Sequence, residues 1–164
     1  MDALPVVTRR DTVDLFSKYK VYSERELQSR FAILAEHYVK TVNVEGRLMV
    51  MMAKTQIIPA AIKYQADVAG AVNATKAAGV DNSAQAELLK SLTATLTEFQ
   101  KATAALEHAL GHHAAGEPID HAKYFRDKVL PGMTALRALG DKLETMVADE
   151  YWPLPTYREM LFIK

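Results

Sequence analysis

Apolar residues recur at intervals of three and four along most of the chain, which is the spacing of one face of an α-helix. No stretch keeps the strict alternation of a strand, and only seven glycines occur among 164 residues. We therefore predict an all-α fold. The expected architecture is an antiparallel up-down-up bundle of long helices that forms a single domain over residues 1–164.

The longest predicted helix covers residues 24–78 and follows a short helix over 9–19. Ser23 and Glu26 have the spacing of a capping box, which indicates where the long helix begins. No good stop signal occurs before a glycine at position 79. The pattern favours either one continuous helix or two halves that meet near residue 57.

Pro59 is the one interior residue of this helix that breaks the pattern. A proline removes one backbone hydrogen bond and crowds the carbonyl four residues earlier, here that of Thr55. We expect the helix to be kinked at Pro59.

Two further helices are predicted over 83–114 and 118–149. The first carries an apolar seam with heptad spacing, and the second has Pro118 in its first turn. Because the connections between the helices are short, neighbouring helices should run antiparallel. The first long helix is longer than the two helices that pack against it, so its early part should project beyond the bundle. That geometry makes interface candidates of three apolar residues, which are Phe31, Leu34 and Tyr38.

The last segment, 150–164, is unusually apolar for a chain end. Pro153 and Pro155 each disfavour helix at the preceding residue, so an extended, polyproline-like tail is predicted. Its large side chains need a groove on the same bundle or on a partner. The interface candidates in the tail are Trp152, Leu154, Tyr157, Leu161 and Phe162.

Charge and composition exclude several functions. Twenty basic and twenty acidic residues give a formal net charge of zero, which is not the signature of a nucleic-acid or membrane-surface protein. No apolar run approaches the length of a membrane-spanning helix, and the first residues do not resemble a signal peptide. Cysteine is absent, which suits a cytoplasmic protein and leaves no thiolate metal site.

Candidate chemistry is sparse. His108 and His112 lie four apart and form a weak zinc candidate, although solvated imidazoles at a helix end explain them as well. Glu45 continues the apolar spacing of the long helix. It is either a boundary residue that reaches water or an interface anchor. The sequence has no phosphate-binding loop, dinucleotide fingerprint or catalytic triad pattern, so we assign no catalytic, cofactor-binding or metal residue.

Several segments together resemble type III glutamine synthetases, the large-subunit bacterial class. The most specific are residues 151–164, with the sequence YWPLPTYREMLFIK, and residues 52–60, with the sequence MAKTQIIPA. Further similar stretches are FSKY at 16–19, SERELQSR at 23–30, YVKTVNVE at 38–45 and FRDKVLP at 125–131. The resemblance extends from about residue 2 to the end, and the alanine-rich middle contributes least.

The resemblance implies a non-catalytic, excised C-terminal helical module of an ATP-dependent glutamate–ammonia ligase, serving packing, assembly or regulation. ATP and Mg²⁺ are implied for the full-length enzyme only, and this chain alone is expected to be inactive. The implied partners are the upstream catalytic domain or neighbouring subunits of the same protein. The alternative from the residues alone is a free-standing helical-bundle adaptor that binds a partner helix.

Overall fold

The computed structural model of the protein describes residues 3–111, 116–155 and 157–161. Every regular element in these residues is a helix, which confirms the all-α prediction. In chain order, the elements are a 3-10 helix at Leu4–Thr8, α1 at Arg10–Lys18, α2 at Glu24–Met52, a first π turn at Ala53–Ile57, α3 at Ile58–Ala77, α4 at Ser83–Leu110, α5 at Pro118–Tyr124, a second π turn at Phe125–Val129, α6 at Leu130–Glu144, a 3-10 turn at Asp149–Tyr151 and α7 at Tyr157–Leu161.

The start of α2 is the capping box that the sequence predicts. The side chain of Ser23 accepts a hydrogen bond from the backbone N–H of Glu26, and the Glu26 carboxylate accepts one from the backbone N–H of Ser23 at 2.7 Å. These reciprocal bonds satisfy donors that a helix start otherwise leaves free. The bond from the Ser23 backbone is also the main reason that the pKa of Glu26 is lowered.

The first π turn joins α2 to α3, so helical backbone continues from residue 24 to residue 77. Within this turn, the N–H of Ile58 donates to the carbonyl of Ala53, five residues earlier. Pro59 comes immediately afterwards. It offers no N–H to the carbonyl of Thr55 and would crowd that carbonyl in a regular α-turn. The wider turn therefore lies where the proline disfavours an α-turn.

The core positions also require this wider turn. Ala53, Ile57 and Ala61 are spaced by four residues, and all three are buried. In a regular α-helix, each step of four advances about 40° beyond a full turn, so two steps accumulate about 80°. The extra residue of a π turn removes most of this excess. As a result, the three side chains stay on the side of the helix that faces the core.

The second π turn has the same position relative to a proline and to the buried residues as the first. The N–H of Leu130 donates to the carbonyl of Phe125, and Pro131 is the next residue. Here too the core positions step by four, from Phe125 through Val129 to Met133, with the first two fully buried. The same combination of a proline and two four-residue steps has produced the same local structure twice.

The end of α3 is a glycine cap, as the stop signal at Gly79 predicts. Gly79 has a φ of 72°, in the left-handed region that glycine adopts without strain. The N–H of Val80 donates to the carbonyl of Thr75, and the N–H of Gly79 donates to that of Lys76. These two bonds are those of a Schellman motif, which satisfies the last carbonyls of the helix.

The core is built around α4, which packs against α2, α3 and α6. The 3-10 helix at Leu4–Thr8 and α5 both pack against α2. Among the described residues, the buried side chains are apolar except for two threonines of α4. The largest fully buried side chains in the described residues are Phe99, Phe125, Leu92, Leu106, Leu136, Leu143 and Val129, with the threonines Thr95 and Thr103.

A buried glycine allows α2 to approach α4 closely. A Cβ atom built on Gly46 would lie 2.8 Å from Cδ2 of Leu110, well inside van der Waals contact. Leu110 itself is buried. The absence of a side chain at position 46 is therefore what leaves room for the tip of this leucine.

Two expectations about the ends of elements need correction. The helix predicted over 118–149 ends at Glu144, because Thr145 bonds through its hydroxyl to the carbonyl of Lys142 and the following turn carries Val147 into the core. The tail predicted to be extended over 150–164 is extended only around 152–155. It begins in the 3-10 turn and continues into α7, because no proline lies within Tyr157–Leu161 to prevent a helical turn. The end of the predicted 83–114 helix beyond Gly111 and residues 162–164 lie outside the described residues.

Candidate interaction surfaces

The first candidate surface is the solvent-facing side of α2, here called the outer face. Its apolar side chains are 47% to 67% exposed, and they lie on the opposite side of the helix from its buried residues. Four of them share an arc of about 60°, with a fifth at the edge. The members are Ile33, Val44, Leu48 and Met51, with Leu34 at the edge. Exposed apolar side chains that share one side of a helix are a common feature of protein–protein contacts.

The four interface candidates that the sequence suggests in α2 do not share one environment. Leu34 is exposed and belongs to the outer face, whereas Phe31 is half-buried. Tyr38 packs against the core cluster, and Glu45 is exposed beside the outer face. The early part of the long helix was expected to project beyond the bundle, but one side of α2 is covered, because the 3-10 helix at Leu4–Thr8 and α5 pack against it.

Tyr38 lies close to an ion pair of the second π turn. Burial is the main reason that the pKa of the Tyr38 phenol is raised, while the charge of Arg126 acts in the opposite direction. Arg126 is paired with Asp127, with Nε 2.6 Å from Oδ1. The hydrogen bonds from this guanidinium lower the pKa of Asp127. The covered side of α2 therefore combines apolar packing at Tyr38 with the nearby charges of Arg126 and Asp127.

The second candidate surface is formed where the tail returns to the helices. The hydroxyl of Tyr151 donates a hydrogen bond to the Asp67 carboxylate on α3. Its ring also lies against that of Tyr64, with centroids 5.7 Å apart. The bond to Asp67 is the main cause of a raised pKa at Tyr151, because ionising the phenol would remove the donor and place two negative charges together.

Beyond this attachment, Trp152 and Leu154 are half-buried and pack against the core cluster. Together with α2, the first π turn, α4 and α6, they line an open hollow of about 670 Å³, here called the tail groove. Its apolar lining consists of Met49, Met52, Ala53, Ile57, Phe99, Leu136, Gly140, Trp152, Leu154, Pro155 and Met160.

Polar side chains occupy only the α6 side of the tail groove. Arg137 is paired with Asp141, with Nε 3.0 Å from Oδ1, and both side chains are mostly exposed. Glu144, one turn further along, is half-buried. Sequence reasoning missed these groove residues, because on a single helix they look like ordinary surface charges. One sequence feature could have pointed to the floor of the groove, which includes Ala53 and Ile57. It is the spacing of apolar residues around Pro59 in two steps of four.

The remaining tail candidates lie at its end. Leu161 is 76% exposed and Met160 54% exposed, so α7 leaves much of its apolar surface open to solvent. The backbone of Tyr157 begins α7, but its side chain lies outside the described part of the chain, as does all of Phe162. The structure therefore brings Trp152 and Leu154 together at the tail groove and leaves Leu161 away from the core.

The weak zinc candidate consists of His108 and His112. His108 is exposed near the end of α4, and His112 lies outside the described residues. Across residues 3–111, 116–155 and 157–161, no three His, Cys, Asp or Glu side chains are grouped closely enough to hold a metal ion. Nor does any helix in these ranges combine the length and the apolar character needed to cross a membrane.

Comparison with known proteins shows that this chain is similar to glutamine synthetases. Residues 1–76 match the model described as the glutamine synthetase C-terminal domain. Glutamine synthetase from Butyrivibrio fibrisolvens is 29% identical over 164 residues, covering 98% of this chain and 23% of that protein. Type-3 glutamine synthetase from Dictyostelium discoideum is 28% identical over 99% of this chain and 23% of its own length. Glutamine synthetase from Bacteroides fragilis (strain YCH46) is 28% identical over 88% and 21%. The chain spans less than a quarter of the length of these relatives.

Proposed function

We propose that this chain is a non-catalytic helical module of a glutamine synthetase, corresponding to the C-terminal domain of such an enzyme. The whole enzyme would ligate ammonia to glutamate with ATP and Mg²⁺ in the cytoplasm. The module would serve packing, assembly or regulation. The observation that carries this proposal is the similarity along 98% and 99% of the chain to proteins more than four times as long.

The outer face of α2 is the surface that we assign to the rest of the enzyme. Its apolar side chains would be covered by the upstream catalytic portion of the same protein, or by a neighbouring subunit. The opposite side of α2 is already occupied by the 3-10 helix at Leu4–Thr8 and by α5, which leaves the outer face as the side available for such contact. The match covers only 23% of each of two relatives, so such a protein has further chain that could cover the outer face.

The long helices would form an antiparallel up-down-up bundle, with the first bent near Pro59. Two observations support this arrangement: α4 packs against both α3 and α6, and only a short connection separates α3 from α4. Widened turns are a common cause of helix bending, which supports a bend at the first π turn. In such an arrangement, α3 pairs with α4 while α2 extends toward the partner.

Assays of this chain test the absence of catalysis. Incubated with ATP, Mg²⁺, glutamate and ammonia, the purified chain should make no glutamine above a heat-treated sample. The longer protein that includes an upstream catalytic portion should be active under the same conditions. Turnover by the chain alone that copurifies with it through several columns would contradict the proposal.

The outer face is tested in the longer protein by the double variant Val44→Ser/Leu48→Ser. Both side chains are exposed in the isolated domain, so the variant should leave its melting temperature nearly unchanged. In the longer protein, it should weaken assembly and lower glutamine formation, because an apolar contact is lost. Light scattering after size-exclusion chromatography and a glutamine assay measure the two effects.

A matched control is Val80→Ser/Leu88→Ser, which removes two exposed apolar side chains from the α3–α4 connection and the first part of α4. This control should leave assembly and activity unchanged. Equal effects of the two double variants, or no effect of either, would rule out the outer face as the contact.

A further inference from the structure

The tail groove has features that packing within a single domain does not require. Its floor is apolar and contains two methionines from α2, while the tail side contributes Trp152 and Met160. Methionine side chains adapt to many shapes and are common on surfaces that accept apolar helices. The hollow is also wide enough for large side chains of a partner, at about 670 Å³.

The charges around this hollow are mostly negative. Glu144 is half-buried in its lining and makes no ion pair within the described part of the chain. A second, shallower hollow shares Trp152 and Leu154 with the first. It adds the carboxylate of Glu150, while Asp149 and Glu159 in its lining already take part in other interactions. Arg137 is the one basic side chain that lines either hollow among the described residues, and it is already paired with Asp141.

An excess of carboxylates around an apolar groove selects for partners of opposite charge. The chain as a whole has no net charge, so the negative potential here is local. From the apolar floor and the acidic surroundings, we propose that the tail groove binds a basic amphipathic helical segment. Its apolar side chains would contact Trp152 and the methionines, and its lysines or arginines would pair with Glu144 and Glu150.

This binding site is separate from the outer face of α2 and does not depend on the proposed function. The outer face lies opposite the buried side of α2, whereas the tail groove is lined by Met49 and Met52, which are half-buried. A protein with both surfaces could contact its own catalytic portion through one and a second, basic segment through the other.

Trp152 provides a direct measurement, because it is the only tryptophan in the chain. The probe is a tryptophan-free peptide of leucine and lysine, about 14 residues long, with leucines on one helical face. Its matched control has glutamate at every lysine position. We expect the basic peptide to shift the Trp152 emission saturably and to bind at least about tenfold more tightly than the acidic peptide. Raising the salt concentration should weaken binding of the basic peptide, since part of the attraction is between exposed charges.

Two charge variants separate the groove from the general surface. Asp141→Asn/Glu144→Gln should weaken binding of the basic peptide by about tenfold, because the groove loses both of its carboxylates. Glu87→Gln/Glu98→Gln removes the same charge from exposed positions of α4 and should change the affinity less than about twofold. Circular dichroism checks that both variants remain folded.

Each possible result decides the proposal. Tighter binding of the basic peptide, weakened only by the groove variant, would support it. Equal binding of both peptides, equal effects of the two variants, or no emission change at millimolar peptide would overturn it. A concentration-dependent shift in emission without peptide would also overturn it, since a second copy of the chain would then occupy the groove.

Discussion

The two π turns share a register but differ in their surroundings. In each, the first and last residues face the core, and a proline follows two positions after the last. The second turn is enclosed, with Phe125 and Val129 almost completely buried. The first turn forms part of the floor of the tail groove through Ala53 and Ile57.

This difference shows that the local geometry of a π turn does not determine what packs against the turn. The proline and the four-residue core steps produce the wide turn in both places, whatever packs over it. What covers the turn is decided by residues far away in sequence. The second is covered by α2 and α4, whereas the first lines the tail groove, which the tail also lines. A π turn alone therefore does not identify a site, and the open surface beside it is the informative feature.

The largest expected effect comes from removing a core side chain in each turn. Phe125→Ala should destabilise the domain by about 3–5 kcal/mol, because a large cavity opens in an enclosed core. Ile57→Ala should fall nearer about 2 kcal/mol, because Ile57 borders the tail groove and the space can open to solvent. Urea unfolding followed by circular dichroism gives both values. Equal losses at the two sites would show that the first turn is as enclosed as the second.

The beginnings of the two helices that contain the π turns provide the next comparison. Ser23→Ala should cost about 1 kcal/mol, because the capping box at the start of α2 is lost. Glu117→Ala should cost only a few tenths, since Glu117 at the start of α5 makes no capping hydrogen bond through its side chain. Thermal unfolding of both variants at neutral pH measures the difference, and equal melting temperatures would contradict it.

Acid titration tests the same cap. The pKa of Glu26 is lowered in the folded protein, so its contribution to stability is present above about pH 4.5 and is lost as the pH falls through the folded value. The gap in stability between the natural protein and the Ser23→Ala variant should therefore narrow in acid. A constant gap between pH 7 and pH 3 would show that the carboxylate contributes little.

The prolines themselves should matter less than the register of the core. Pro59→Ala and Pro131→Ala should each retain the π turn and change stability by less than about 1 kcal/mol, because the four-residue steps still require an extra residue. Nuclear magnetic resonance can follow the hydrogen bond from Ile58 to Ala53, or from Leu130 to Phe125. Conversion to a regular α-turn with a loss of several degrees in Tm would mean that the proline itself, rather than the register, maintains the π turn.

The smallest effect is expected where the tail attaches beside the first turn. The pKa of Tyr151 is raised above its ordinary value of about 10, so the hydrogen bond to Asp67 is fully present below pH 10 and is lost as the pH rises through the folded value. Trp152 emission should change over that alkaline range in the natural protein. Tyr151→Phe should lack this step and show a slightly altered emission at neutral pH. The same alkaline transition in both proteins would assign it to other groups.

Local chemistry in the sequence predicted much of the fold. The spacing of Ser23 and Glu26 indicated the start of α2, and Gly79 indicated the end of α3. Both signals act between residues a few positions apart, which is why they can be read without a structure. The kink expected at Pro59 stays a prediction. The π turn before it was missed because the two four-residue core steps were not compared with the α-helical period.

The tail groove could not have been predicted in the same way. The need of Trp152 and Leu154 for a partner surface was evident from their size, and both are half-buried in the structure. The residues that meet them come from α2, α4 and α6, which are separated along the chain by dozens of positions. Glu144 gave no signal at all, since its environment arises only when the tail returns to the helices. Periodicity describes one helix at a time, whereas a groove depends on how several helices pack.

The glycine at position 46 has a consequence for how this domain can evolve. Its missing side chain and the tip of Leu110 share one small volume, so an increase in size at either position must be matched by a decrease at the other. Alanine at 46 should become acceptable when 110 is valine, and the pair should vary together across homologous chains. Two residues 64 positions apart would then be inherited as one unit, because between them they set how near two helices can come.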